Sequence, residues 1–153
     1  MKKDIMDFYL FISSSDGIQS SPLNVYHDFT VTLPKFIKLP PNSDSGDRLK
    51  WSVALCDIYI QGVQFPNKYF NIAVMCDIIE QSYLKGGYAP VLRILPGEQA
   101  DGASLYTTYH IELSTYSFSS IRIFLSELAG KSLPAHTSSS VLSCTLHFQA
   151  THL

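Results

Sequence analysis

Apolar side chains recur at every second position through most of this chain, and the runs are cut short by Gly, Pro, Ser, Asn and Asp. A period of two is the mark of strands with one face buried. The runs are also rich in Val, Ile, Thr, Tyr and Phe, which suit a pleated surface. Eight blocks follow: 5–12, 27–33, 49–60, 70–80, 89–95, 105–113, 120–125 and 141–148. In the second, Phe29, Val31 and Leu33 alternate with Asp28, Thr30 and Thr32; in the eighth, Leu142, Cys144, Leu146 and Phe148 alternate with Val141, Ser143, Thr145 and His147. The third is apolar on both faces, with Trp51, Val53 and Leu55 against Ala54, Cys56, Ile58 and Ile60. That pattern predicts a central strand covered on both sides, with Trp51 in the core.

Helical spacing is confined to 121–128, closed by Gly130, where a strand followed by a turn competes with one or two helical turns. Turn-forming residues place loops at 13–22, 40–47 and 97–102, and Gly86-Gly87 signals a further turn. With no repeat and no linker, the chain reads as one module over 1–153. Eight short strands without intervening helices predict an all-β fold: an eight-stranded antiparallel β-sandwich with the strand count of a single jelly roll.

Composition narrows the class. Of 153 residues, 46% are apolar, 16% charged and 12% aromatic, which excludes the low-hydropathy composition of disordered chains. A chain of this length buries roughly 70% of its unfolded surface, so no disulfide or metal is needed to complete a core. The net charge is -2, and the 11 Lys and Arg are scattered; direct nucleic-acid binding is not expected. No apolar run approaches the ~20 residues of a membrane span, and the N-terminus reads as mature chain rather than a signal peptide. Cys56, Cys76 and Cys144 are odd in number and sit in apolar runs, so they are expected as free, buried thiols made in a reducing compartment.

Candidate chemistry is sparse. Cys144 and His147 are three apart, which on a strand puts them on opposite faces. His110 and Glu112 share a face and would make a base with its orienting carboxylate, or two metal ligands; the alternative is a solvated outer strand. Asp57 and Asp77 interrupt apolar strands, where a carboxylate must be paired or hydrogen-bonded; each is expected to cap a strand end or to pair with Arg93 or Lys50, the alternative being a carboxylate pair for acid–base work. There is no phosphate-cradling glycine loop, nucleophile elbow or tetrahedral Cys/His spacing, so the chain is read as a non-enzyme without cofactor or metal. Tyr83, Tyr88, Tyr106, Tyr109 and Tyr116 fall near strand ends, where tyrosine serves either a sandwich rim or an interface.

Several runs together resemble a known group. The segment Tyr9-Leu10-Phe11-Ile12-Ser13-Ser14-Ser15, then Phe29-Thr30-Val31-Thr32-Leu33-Pro34, then Trp51-Ser52-Val53-Ala54-Leu55 is similar to minor capsid, penton-like proteins of Maverick/Polinton-type elements and related DNA viruses. So are Cys76-Asp77-Ile78-Ile79-Glu80, Pro90-Val91-Leu92-Arg93-Ile94 and the closing Thr145-Leu146-His147-Phe148. The chain departs from that pattern at Lys50, over 40–47 and at Gln149. The resemblance implies a single jelly roll in a virion capsid. Such a subunit would be made in the host cytoplasm, with the nucleus as a site of assembly, and would occupy vertices beside a major capsid protein. It also implies self-association into a cyclic homo-oligomer such as a pentamer, for which Tyr26, Tyr83, Tyr106 and Tyr116 are the expected interface residues. The rival reading is a lectin-like ligand-binding or host-attachment module using the loops 13–22 and 97–102. A small hydrolase centred on His110 and Glu112 ranks last.

Overall fold

In the computed structural model, residues 6–16, 24–65, 71–97, 101–105 and 107–153 are described. The alternating blocks become antiparallel strands: β1 (Asp7–Ser13), β2 (Asp28–Lys38), β3 (Leu49–Gln61), β4 (Asn71–Cys76), β5 (Ser82–Leu84), β6 (Gly87–Ala89), β7 (Val91–Pro96), β8 (Asp101–Ser104), β9 (Ile111–Glu112), β10 (Ser117–Glu127) and β11 (Val141–His152). One sheet runs β1-β11-β3-β8, with β9 also on β3; the other runs β2-β10-β4-β7. Counted in chain order without the small hairpin and β9, the sheets read 1-8-3-6 and 2-7-4-5. This is the two-sheet strand order of an eight-stranded jelly roll. No helix among the described residues is long and apolar enough to cross a membrane.

The longest pairing, β3 with β11, explains why block 49–60 is apolar on both faces. Leu146 pairs Leu55 and Thr145 pairs Asp57, so Cys56 is an extra residue in β3, a β-bulge. Before it Trp51, Val53 and Leu55 point inward; after it Ile58 and Ile60 do. The strand is not covered uniformly on both sides: its inward parity changes once, leaving Tyr59 on the exposed face. The bulge also leaves Cys56 only half-buried, whereas Cys76 and Cys144 are fully buried free thiols.

Other expectations shift with the same local detail. Residues 121–127 are strand, since Ile121, Ile123 and Leu125 turn inward at a period of two, and a turn follows from Leu128. The expected strand at 105–113 is replaced by β8 before it and the short β9 at its end. The expected loop at 97–102 already contains the start of β8. Residues 98–100 lie outside the described residues, as do 17–23, which hold most of the expected loop 13–22. Block 70–80 ends as a strand at Cys76; the chain then crosses to the edge of the first sheet, where Ile79 pairs Leu113. The Gly86-Gly87 signal closes a β5–β6 hairpin whose two-residue turn, Lys85-Gly86, has positive φ at both positions, the geometry that matches strand twist.

Between the sheets, Phe148 stacks on Phe8 at 4.7 Å and lies 5.9 Å from Phe118 of the opposite sheet, while Phe8 lies 6.0 Å from Trp51. Trp51 is 2% exposed. Its indole N–H donates to the Pro40 carbonyl at 2.8 Å, and its backbone N–H donates to the Tyr116 hydroxyl at 3.1 Å. Trp51 is thus tied by its ring to the loop at 40–47 and by its backbone to the segment entering β10.

Two outcomes follow from this core. Trp51→Ala should cost about 3–5 kcal/mol, as large-to-small core changes do, read from denaturant unfolding, and the sole tryptophan of the wild type should emit blue-shifted, quencher-protected fluorescence. Under native conditions a thiol reagent should label Cys56 alone, with Cys76 and Cys144 reacting only after unfolding; rapid native labelling of all three would contradict this burial.

Candidate functional site

The outward faces of the two sheets differ in chemistry. Alternation along β2 and β10 sends Asp28, Thr30, Thr32, Ser120 and Arg122 outward, and Arg122 forks onto Asp28 through Nε and Nη2 at 2.9 and 2.8 Å. That guanidinium also lies 4.3 Å from the Phe124 ring centroid. Its hydrogen bonds hold the Asp28 carboxyl below the usual carboxylate range. Asp77, expected to cap a strand end or to pair with Lys50 or Arg93, lies just past β4 and accepts the Arg122 backbone N–H at 2.9 Å, and burial pushes its carboxyl up.

The outward face of the first sheet is aromatic. Along β1 the outward residues are Asp7, Tyr9, Phe11 and Ser13, and opposite them on β11 stand Gln149, His147, Thr145 and Ser143. Phe11 is 78% exposed, and Tyr9 and Tyr59 are exposed with it. Three elements meet here in a hydrogen-bonded chain. His147 Nε2 lies 3.0 Å from Asp7 Oδ2, and His147 Nδ1 lies 3.1 Å from His110 Nε2. Tyr9 stacks on the His147 ring at 4.5 Å. A carboxylate only accepts, so His147 donates through Nε2 and its Nδ1 accepts from His110 Nε2–H. This chain orients His147 in one tautomer and can pass a proton between its ends. Burial, then the neighbouring His147, holds the His110 imidazole below its ordinary range.

The expected His110–Glu112 pair does not form. Glu112 sits 3.3 Å from Lys50 Nζ in an exposed ion pair, and His110 turns to His147. No local motif marks the trio, because Asp7 and His147 are 140 residues apart and His110 and His147 are 37 apart. Alternation alone placed His147 opposite Cys144, and Cys144 is indeed inside. Among the described residues no three His, Cys, Asp or Glu side chains are grouped to hold a metal ion.

A second feature is a groove of about 330 Å³ between the β5–β6 hairpin, β7 and the segment leading into β9. Tyr83 and Tyr109 form walls and Arg93, Ile94, Val91 and Leu92 lie along it. Tyr83 is 70% exposed and Tyr109 57%. Tyr83 meets Tyr88 edge-on at 6.1 Å. Arg93 lies 4.5 Å from the Tyr109 ring centroid and donates through Nη1 to the Thr107 carbonyl.

The expected interface tyrosines separate. Tyr83 is at the surface. Tyr26 is 0% exposed; its hydroxyl donates to the Pro134 carbonyl at 2.7 Å, and burial pushes its pKa up to about 12. It is a core residue, because β2 begins only after the tight turn that tucks its ring inside. Tyr116 is half-buried and spends its hydroxyl on the Trp51 N–H. Tyr106 lies outside the described residues. Phe11 and Tyr9, which the sequence reading assigned only to a strand, carry more exposed aromatic surface than either Tyr26 or Tyr116.

No protein family and no curated protein matches the chain. Among solved structures, a family two carbohydrate esterase from Cellvibrio japonicus is similar at 13% sequence identity with a TM-score of 0.22, over 96% of this chain and 35% of the esterase chain. This chain therefore spans little more than a third of that protein's length, and a likeness at that score carries no argument about activity.

Acid should loosen the fold through its histidines. His110 and His27 are both held below the ordinary value, chiefly by burial. As pH falls through about 6.5 the unfolded chain takes up protons before the folded one. The stability they contribute is complete above that pH and is lost progressively toward the lower folded-state values. Melting temperature should fall between pH 7 and pH 5, with the raised Asp77 carboxyl acting against the trend because the folded chain takes up that proton first. His110→Gln, which keeps a neutral donor toward His147, should leave the neutral-pH melting temperature nearly unchanged and flatten this slope.

Proposed function

We propose that the chain is a structural virion protein: a minor-capsid, penton-like jelly-roll subunit that forms a cyclic homo-oligomer, such as a pentamer, at capsid vertices and meets a larger major capsid protein. On this reading it is made in the host cytoplasm, with the nucleus as a site of assembly, resides in the capsid, and acts without catalysis or cofactor. The observation that carries the proposal is the row of exposed aromatics on β1. Among the described residues this strand pairs with β11 alone, so the row of Tyr9 and Phe11 runs along a sheet edge. Open edges and contiguous apolar surface are liabilities in a lone subunit and assets in a shell, where neighbours cover them. The other sheet carries the exposed Arg122–Asp28 ion pair on its outer face and has Phe36 and Ile94 exposed on β2 and β7. The jelly roll is the architecture of many viral capsid domains, and the resemblance of the strand motifs to Maverick/Polinton-type minor capsid proteins supports the same assignment.

Light scattering across a concentration series should find a symmetric oligomer, closed by cyclic symmetry. Phe11→Asp should weaken self-association by about thirtyfold, as loss of a central aromatic contact does, while leaving the melting temperature close to wild type because the ring is already in water. Tyr26→Asp should instead unfold the chain. A wild type that stays monomeric at high concentration and fails to bind its cognate major capsid protein overturns the proposal.

A further inference from the structure

We infer that the groove between the β5–β6 hairpin, β7 and Tyr109 is a binding site for an acidic saccharide, a sugar ring bearing a carboxylate or a sulfate. This inference does not rest on the capsid reading, since the groove involves neither β1 nor the aromatic row on it.

Charge is the first argument. Arg93 is the charged residue of the lining, and no carboxylate lines the groove. Among the described residues the ion pairs engage Lys50, Arg122, His147 and His152, and none includes Arg93. One guanidinium nitrogen is anchored on the Thr107 carbonyl and the plane rests against Tyr109. The cation is thus held in place without being neutralised, and its remaining donors suit the fork geometry of a carboxylate or sulfate.

Shape and exposure supply the second. Tyr83 and Tyr109 stand far into solvent, so their ring faces are open to a ligand. Each is braced, Tyr83 by Tyr88 and Tyr109 by Arg93, so little side-chain freedom is lost on binding. A volume of about 330 Å³ is at the small end of ligand sites. An apolar ligand would be left half in water by so open a groove. A sugar is amphipathic in the complementary sense: its C–H face lies on a tyrosine ring while its hydroxyls stay hydrated or meet the phenolic O–H.

The test is a titration of the full chain, followed by ligand-observed NMR, with sialyllactose as the carboxylate probe, a heparin-derived disaccharide as the sulfate-bearing probe, lactose as the neutral control and tetraglutamate as the peptide control. Saturable binding of one or both acidic saccharides is expected, and which one binds identifies the anionic group. Arg93→Gln should weaken that binding about tenfold, the loss of a charge-assisted hydrogen bond, and Tyr109→Ala about fivefold, the loss of ring contact. Thr32→Ala, on the strand at the opposite edge of the sheet from β7, should leave it unchanged, and circular dichroism checks that each variant is folded. The inference is overturned if lactose binds as tightly as the acidic sugars, if tetraglutamate binds as tightly as they do, if Arg93→Gln binds like wild type, or if no probe binds saturably.

Discussion

The β3–β11 ladder is the constraint on which the rest of this structure depends. Twelve residues of β11 pair along β3 from Leu49 to Gln61, and the ladder tolerates one extra residue, Cys56. Because side chains alternate with a period of two, one inserted residue exchanges the faces of everything beyond it. Without the bulge, Ile58 and Ile60 would face water and Asp57 and Tyr59 would enter the core. With it, one strand keeps both ends of its apolar pattern inside, and β11, whose inward set of Leu142, Cys144, Leu146 and Phe148 is unbroken, serves as the straight template. The aromatic stack of Phe8, Phe148 and Phe118 then closes the gap between the sheets.

From that ladder the asymmetry of the surface follows. β11 carries Thr145 and His147 outward beside Phe11 and Tyr9 of β1, so the polar side of its alternation becomes the bed on which exposed aromatics lie. Asp7 and His110 reach the same ring from opposite sides, which ties an edge strand and the segment before β9 to the central strand. The hydrogen-bonded trio therefore acts as a polar clasp across the outside of the sheet. A second proton on the two imidazoles would leave donors facing one another and open it.

The chain's path explains where the groove lies. After Cys76 it leaves one sheet and reaches the edge of the other through the Ile79–Leu113 bridge, and Glu80 N–H donates to the Glu112 carbonyl at 2.9 Å. The hairpin that follows folds back beside β7, and Tyr83 and Tyr109 both line the gap between them. The pinned Arg93 reaches the same gap from β7.

Alternation and turn chemistry by themselves determined the all-β class, the approximate span of most strands, the inward set of β11, the burial of Trp51 and the turn at Gly86, because each is dictated by a period-two pattern or by one residue's allowed φ. Other features were decided only in three dimensions. The bulge at Cys56 is a property of a pairing, invisible in one strand read alone. Tyr26 looks like any rim tyrosine until the Pro134 carbonyl, 108 residues away, supplies its hydroxyl with a buried partner. His110 lies within two residues of Glu112, yet it is bonded to a residue 37 positions away, since the sheet brings His147 within reach while Lys50 claims the carboxylate. Local pattern fixes which face a side chain takes; which partner it meets on that face depends on strand order and register, and these are set by the packing of the whole sandwich.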